Sequence, residues 1–163
     1  MSGWWLEIAN TLRDEFSDLP DVGRATLIVL RLSVAAILGG ALGFEREQKG
    51  KAAGLRTHML VALGAALFVL IPQQAGVSDA DLTRVLQGLV AGVGFLGAGS
   101  IIKGGGEEEV KGLTTAAGIW LTAAIGVAAG TGREATAVLS TLLTLVILAM
   151  VPRVVRLFGI GGN

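Results

Sequence analysis

Arginines and a glutamine within apolar stretches are the side chains of this sequence that are best placed for chemistry. Arg31 lies inside an uncharged apolar run, where a charge is costly unless it meets a partner or water. Arg84 and Gln87 stand one helical turn apart near the start of another run. In the functional interpretation, the three line a polar path or binding pocket reached from outside, with Asp79 and Asp81 as counter-charges. The alternative is structural, since arginines also extend toward the interface or cap helix carbonyls. We favour the structural role for Arg84 and a buried or water-contacting role for Arg31.

A second polar cluster falls where two apolar runs meet. Glu45 and Arg46 end the first run, and Arg56 and His58 open the second. A helical hairpin would bring these ends together and allow a Glu45–Arg56 pair. The cluster could gate a path or form a docking face, and His58 could titrate near neutral pH. Alternatively, the charges anchor the chain at the membrane surface and His58 is an ordinary interfacial residue.

Several other kinds of site are not supported by the sequence. The chain has one histidine, no cysteine and a formal net charge of zero, so we expect no multi-histidine metal site, no disulfide and no nucleic-acid partner. Glutamates 107–109 are contiguous in a glycine-rich loop and do not preorganise a magnesium octahedron. Gly92, Gly94 and Gly97 match G-x-G-x-x-G without a βαβ context, so we expect no cofactor. No nucleophile motif appears in the apolar runs, and we expect no enzyme.

Five apolar segments are long enough to hold these residues inside a bilayer, which requires about 20 apolar residues per helix. They are 25–44, 55–71, 82–102, 113–130 and 135–151, and Pro72 and Pro152 are expected to end the second and fifth. Hydrophobic residues make up 52% of the chain and charged residues only 16%, against about 25% in soluble domains. The predicted fold is an all-α membrane bundle of about five transmembrane helices.

The N-terminal residues predict a further helix at the membrane surface. Trp5, Ile8, Leu12, Phe16 and Leu19 recur at helical spacing, and tryptophan favours the headgroup zone. The alternative is an unstructured tail that ends at Pro20. The segment lacks the basic start and the cleavage site of a signal peptide.

Stripes of small residues predict the faces on which the helices pack. Gly39 and Gly43 follow Arg31 at helical steps, and Gly88 and Gly92 share the face of Arg84. In lipid, small residues let helix backbones approach closely. We expect at least one of the seams 39–43 or 88–92 to form a subunit contact. The crowded glycines of 91–99 indicate either a packing seam, which we favour, or a break in the helix of the kind that lines transporter sites.

The distribution of Lys and Arg predicts the orientation. Three of the regions outside the spans lie on one side and hold eight Lys and Arg residues, whereas the opposite side holds four. Positive residues favour the cytoplasm, so we expect the N-terminus outside and the C-terminus in the cytoplasm.

Three segments in order resemble the MgtC/SapB family of bacterial membrane proteins: 43–67 (GFEREQKGKAAGLRTHMLVALGAAL), 88–102 (GLVAGVGFLGAGSII) and 110–132 (VKGLTTAAGIWLTAAIGVAAGTG). The resemblance covers most of the chain from the first span through the fourth. It implies an inner-membrane protein of about five helices with a cytoplasmic C-terminus. Carried over residue by residue, it singles out the polar positions Arg31, Glu45, Arg46, Arg56, Thr57, Arg84 and Gln87. It also marks the small or hydroxyl positions Gly92, Gly94, Gly97, Gly99, Thr114 and Thr115.

The resemblance further implies a role in growth under magnesium limitation, by regulation rather than pumping. Virulence-type members of the family add a soluble domain after the last helix, so we expect the short form here. In it, 1–163 would be one domain with a leader at 1–24, a bundle at 25–151 and a cytoplasmic tail at 152–163. The expected partners are the bilayer, a second copy as a homodimer, and another membrane complex. The competing interpretation is a small ion transporter or channel that uses the intramembrane arginines.

Overall fold

The computed structural model describes residues 3–17, 21–103 and 110–158, and helices dominate them. These residues form α1 (Gly3–Glu15), α2 (Val22–Gln48), α3 (Leu55–Gln74), α4 (Asp79–Gly99), α5 (Leu113–Gly130) and α6 (Glu134–Leu157). The predicted all-α class is confirmed, and five helices, α2 to α6, are long and apolar enough to cross a bilayer. Between α4 and α5, β1 (Ile102–Lys103) and β2 (Val110–Lys111) form a minimal antiparallel pair that the sequence analysis did not predict.

The prediction that prolines end the second and fifth spans is wrong. Pro72 lies inside α3, which continues to Gln74, and Pro152 lies inside α6. A proline lacks the N–H donor and its ring crowds the carbonyl four residues earlier, so it disturbs one backbone hydrogen bond of the preceding turn. The carbonyl of Pro72 still accepts a hydrogen bond from the Val77 amide at 3.1 Å. In lipid, leaving the helix earlier would expose unsatisfied backbone groups, so the helix persists past the proline.

The third span, which forms α4, begins and ends three residues earlier than the predicted 82–102. Ser78 caps α4, because its hydroxyl accepts a hydrogen bond from the Asp81 amide at 3.3 Å. Asp79 and Asp81 stand in the first turn, where negative charge complements the helix dipole. The predicted last residue, Ile102, lies in β1 instead.

Helices α3 and α5 pack backbone against backbone. A Cβ atom on Gly126 would lie 2.2 Å from the carbonyl oxygen of Ala62, and one on Gly130 would lie 2.5 Å from that of Ala66. The two pairs ascend together along both helices, so α3 and α5 run parallel. Only glycine fits at these positions, since real Cβ atoms do not approach oxygen this closely.

Helix α2 uses the Gly39–Gly43 seam to pack on α3. A Cβ on Gly39 would lie 2.6 Å from the His58 carbonyl oxygen, and one on Gly43 would lie 2.7 Å from the Leu55 Cα. This seam is therefore filled within the subunit. Around it, Ala35 and Leu42 of α2 join a buried cluster with residues of α3, α5 and α6.

The remaining apolar surface faces outward. The apolar windows of α4 and α6 are each only 11% buried, whereas that of α5 is 44% buried. Large side chains on α6, such as Leu143 and Ile147, are more than half exposed. A soluble protein rarely presents apolar surface of this extent, and its natural solvent is the interior of a bilayer.

The N-terminal compact unit, Met1–Leu30, contains α1 and the first turns of α2. The predicted leader helix is confirmed over Gly3–Glu15, and the rings of Trp4 and Trp5 stack with centroids 3.8 Å apart. Phe16 follows the end of the helix, and Leu19 and Pro20 lie outside the described residues. Every described residue of α1 is exposed, and its place at a membrane surface stays a prediction.

Candidate functional site

Arg31 is held in a polar cluster formed with the C-terminal ends of α3 and α5 and the start of α6. Its Nη1 donates a hydrogen bond to the carbonyl oxygen of Gly130 at 3.1 Å and reaches Oε1 of Gln73 at 3.5 Å. Its Nε lies 3.8 Å from Oε1 of Glu134 and has no hydrogen-bond partner, although it is buried. We call these four residues the Arg31 cluster.

The backbone of α5 explains why an arginine is needed in this cluster. A helix ends with four carbonyls that have no partner within the helix. Here the amide of Thr131 bonds the carbonyl of Val127, that of Arg133 bonds Ala128, and that of Gly132 bonds Ala129. This arrangement is a Schellman ending with Gly132 in the left-handed region at φ 78°. The carbonyl of Gly130 is left over, and Arg31 supplies its donor.

Gly132 also makes room for the guanidinium. A Cβ there would clash with the Nη2 atom of Arg31, because the two atoms would lie far closer than carbon and nitrogen can pack. Two independent requirements, a positive φ and the space for Arg31, thus favour glycine at this position. Arg31, whose side chain is 20% exposed, therefore lies partly buried and caps a helix carbonyl.

Arg84 and Gln87 are exposed on α4. Nη1 of Arg84 lies 2.7 Å from Oδ1 of Asp81, and the Arg84 side chain is 78% exposed. Among the described residues, no hydrogen bond or ion pair joins Arg31 to Arg84 or Gln87. Asp81 is therefore the counter-charge of Arg84, whereas the acidic neighbour of Arg31 is Glu134.

The polar cluster at the other end of α2 contains a largely buried ion pair. Glu45 pairs with the adjacent Arg46, through Oε2 to both Nε and Nη2, rather than with Arg56 as expected. The two side chains are 18% and 5% exposed. Arg56 and Thr57 lie exposed at the start of α3. Because Arg46 is adjacent to Glu45 in the sequence, its side chain can reach the carboxylate within α2, and the pair does not require the contact between α2 and α3.

His58 is buried between helices rather than placed at the surface. Its Nδ1 lies 3.0 Å from the carbonyl oxygen of Gly54, while its Nε2 is buried without a hydrogen-bond partner. That nitrogen points toward Gly118 of α5, whose added Cβ would lie 3.5 Å away.

The glycines of α4 divide into one that packs within the subunit and several that do not. A Cβ on Gly97 would make ordinary contact with Ala116 of α5 at 3.5 Å. Nothing lies within 4 Å of a Cβ built on the others, which are Gly88, Gly92, Gly94 and Gly99. Helix α4 runs through all of them without a break. The 88–92 seam is consequently open, in contrast to the 39–43 seam.

The threonine pair opens α5 on two different faces. Thr115 is buried, with 3% of its surface exposed, whereas Thr114 is exposed and lines a groove with the basic residues Arg46, Lys49 and Lys51. No group of three acidic, histidine or cysteine side chains suited to a metal ion occurs within residues 3–17, 21–103 and 110–158. The three glutamates 107–109 lie outside the described residues.

Three members of this site escaped the sequence analysis: Gln73, Gly132 and Glu134. Each lies at or next to a helix end that is distant from Arg31 in sequence. The nearest of them, Gln73, is 42 residues away. One signal in the sequence could have indicated this pairing. Glu134 is acidic and lies at the start of the fifth span, on the same predicted side of the membrane as the end of the first span that carries Arg31.

The amino-acid sequence of this chain is similar to those of known proteins. The profile of the MgtC family matches residues 32–157. Over 128 residues, the chain is 42% identical to the putative magnesium transporter YhiD of Escherichia coli (strain K12), covering 74% of this chain and 58% of that protein. It is 43% identical to Protein SrpB of Synechococcus elongatus, covering 78% of this chain and 76% of SrpB. It is also 43% identical to Protein MgtC of Brucella abortus, covering 77% of this chain and 51% of that protein.

The chain spans little more than half the length of the YhiD and MgtC relatives. No solved structure matches it significantly. The profile nevertheless covers most of α2 and all of α3 to α6. It begins one residue after Arg31 and includes the Glu45–Arg46 pair and the glycines of α4. This chain belongs to the MgtC family.

Proposed function

We propose that this chain is an inner-membrane module that acts in regulation by associating, through the open face of α4, with another membrane helix. The first such partner is α4 of a second copy. The observation that carries the proposal is the open seam of Gly88 and Gly92, around which no atom of the subunit would meet an added Cβ within 4 Å.

The sequence of α4 suits a contact of this kind. Gly88 and Gly92 form a G-x-x-x-G pair, and Phe95 and Gly99 continue the same stripe at helical spacing. Small residues at this spacing let two helices approach closely in lipid, where van der Waals packing drives association. Phe95 is 81% exposed, and beside the stripe a groove of about 480 Å³ opens between α4 and Phe68 of α3. A neighbouring helix would fill both features.

The polar residues support regulation over transport. A route for ions would need polar side chains directed into a shared path. Nη1 of Arg31 instead donates to Gly130 and Gln73 within the subunit, and Arg84 is paired with Asp81 at an exposed helix start.

The link to magnesium comes from the relatives. One carries the name putative magnesium transporter and another the name MgtC. We propose that association through α4 responds to magnesium limitation and to the energy status of the cell. The charge distribution supports an external N-terminus and a cytoplasmic C-terminus. Fusion of reporters that are active on only one side of the membrane to the C-terminus tests this orientation.

The second candidate function is a small ion transporter, which the name of the Escherichia coli relative favours. Flux of magnesium or anions into proteoliposomes, with Arg31→Ala as the control, distinguishes the two. Flux that the wild type supports and the variant lacks would favour transport, and no flux above empty liposomes would favour regulation.

Self-association is tested by energy transfer between labelled copies in liposomes as the lipid-to-protein ratio rises. The Gly88→Ile/Gly92→Ile variant should associate at least about tenfold more weakly, because branched side chains hold the helices apart. Ala41→Ile on the exposed face of α2 is the matched control and should leave association unchanged. Association of the double variant at wild-type strength would contradict the proposal.

A further inference from the structure

A groove of about 370 Å³ lies where α2 ends, α5 begins and the last turns of α6 pass. One side of it is basic and carries Arg46, Lys49 and Lys51, with the hydroxyl-bearing Thr114 next to them. The other side is apolar and includes Ile147 and Val151 of α6. The two sides call for a ligand with an anionic end and an apolar end.

The basic side retains positive charge after its internal pairing. Glu45 neutralises Arg46, which leaves the charges of the two exposed lysines, Lys49 and Lys51. The nearby carboxylate of Glu47 is turned to the start of α3, where it accepts a hydrogen bond from the Leu55 amide at 2.7 Å. The groove therefore attracts an anion.

On the basic side of the groove, Arg46 is packed into the protein, since only 4% of its surface is exposed. Its Nε and Nη2 contact one oxygen of Glu45, and a guanidinium carries about five N–H donors, so others remain for a second oxyanion. Thr114 stands in the first turn of α5, whose N-cap Gly112 provides no side-chain hydrogen bond. The first amides of α5 thus have no side-chain cap, and a phosphate oxygen is a suitable acceptor for such groups.

The depth of the groove matches that of a lipid. Its basic residues belong to the end of a spanning helix and the following loop, which is the level of the headgroups. Its apolar wall lies one to three turns inside the end of α6, with Ile147 57% and Val151 51% exposed. A free anion would make no use of this wall.

We propose that the groove binds one anionic phospholipid. The phosphate contacts Arg46, Lys49, Lys51 and Thr114, and an acyl chain lies along Ile147 and Val151. Basic pockets between transmembrane helices recognise anionic headgroups by this combination of charge and depth. The site is separate from the α4 face and does not depend on the function proposed for it.

Native mass spectrometry of the full chain in detergent micelles tests the site. The probes are phosphatidylglycerol and a phosphatidylcholine with the same acyl chains. The wild type should retain one phosphatidylglycerol in preference to phosphatidylcholine. In Lys49→Gln/Lys51→Gln, its affinity should fall roughly 25-fold, about fivefold for each cation removed. Lys49→Arg/Lys51→Arg should retain binding.

Arg13→Gln/Arg133→Gln removes the same charge from exposed positions elsewhere and is the matched control. An equal loss of binding in this control would overturn the proposal, because attraction would then depend on overall charge. Inorganic phosphate distinguishes the two sources of a phosphate group. If phosphate alone binds with the same dependence on Lys49 and Lys51 and displaces the lipid, the groove is a free-phosphate site and the lipid assignment is wrong. An unchanged thermal unfolding curve establishes that the glutamine variant is folded.

Discussion

Replacing Arg31 with alanine should destabilise the bundle far more than the same replacement at Arg84. The Arg31 guanidinium donates to the Gly130 carbonyl at 3.1 Å, and its Nε lies 3.8 Å from Glu134. A hydrogen bond from a charged group contributes about 1.5–3 kcal/mol, and its loss leaves the last carbonyl of α5 without a donor. A partly exposed ion pair adds at most about 1 kcal/mol.

The stabilisation by Arg31 is partly offset in the folded protein, because its Nε atom is buried without a hydrogen bond. We therefore expect Arg31→Ala to lower the free energy of unfolding by about 2–3 kcal/mol. Arg84 is 78% exposed and pairs only with Asp81, so Arg84→Ala should lower it by less than about 1 kcal/mol.

The assay is reversible unfolding in mixed micelles with rising dodecyl sulfate, followed by the fluorescence of the three tryptophans. Arg84→Ala controls for the loss of an arginine as such. Equal unfolding free energies for Arg31→Ala and Arg84→Ala would refute the assignment of Arg31 as the donor that completes the end of α5.

Three further changes test the packing and the polar clusters by the same unfolding assay. Gly126→Ala should prevent normal assembly of the bundle, because its Cβ would lie 2.2 Å from a backbone oxygen of α3. Gly64→Ala is the control: its Cβ meets open space, so the free energy of unfolding should stay the same or rise by up to about 1 kcal/mol. Gly132→Ala should cost at least about 1 kcal/mol from its positive φ alone, and wild-type stability would contradict the left-handed backbone at this position. Arg46→Met should cost up to about 3 kcal/mol, the lower value for a buried pair, because it leaves the largely buried Glu45 carboxylate unpaired. Restoration of part of that loss by adding Glu45→Gln would distinguish charge from packing.

The helices could be predicted from the sequence because the bilayer imposes a length on every apolar run. Five such runs gave five spanning helices, and the periodic leader gave α1. Their ends were predicted less well. Pro72 was expected to end a helix, yet lipid penalises exposed backbone more than it penalises one lost hydrogen bond. The β1–β2 pair involves only two residues on each side, which is too short for an alternating pattern to reveal.

The candidate site was predictable only in part. The spacing of residues in the sequence identifies which face of a helix is polar or small, but it does not identify which other helix packs on that face. Arg31 was placed correctly within a helix, whereas Glu134 and Gln73 reach it only through the packing of other helices. The seams 39–43 and 88–92 have the same spacing of glycines. Three-dimensional packing alone shows that α3 fills the first and that the second stays open.

Disulfide formation between copies tests the open α4 face most directly, since the natural chain has no cysteine to confuse the result. Single cysteines at Gly88, Gly92 and Phe95 are compared, in native membranes, with one at Leu143 on the exposed face of α6. Two cysteines bridge only when their Cα atoms lie within about 7 Å, so the reaction reports close contact. Association through α4 predicts oxidised dimers for Gly92→Cys and its neighbours and few for Leu143→Cys. Dimer yields on α4 no higher than that at Leu143 would contradict the account.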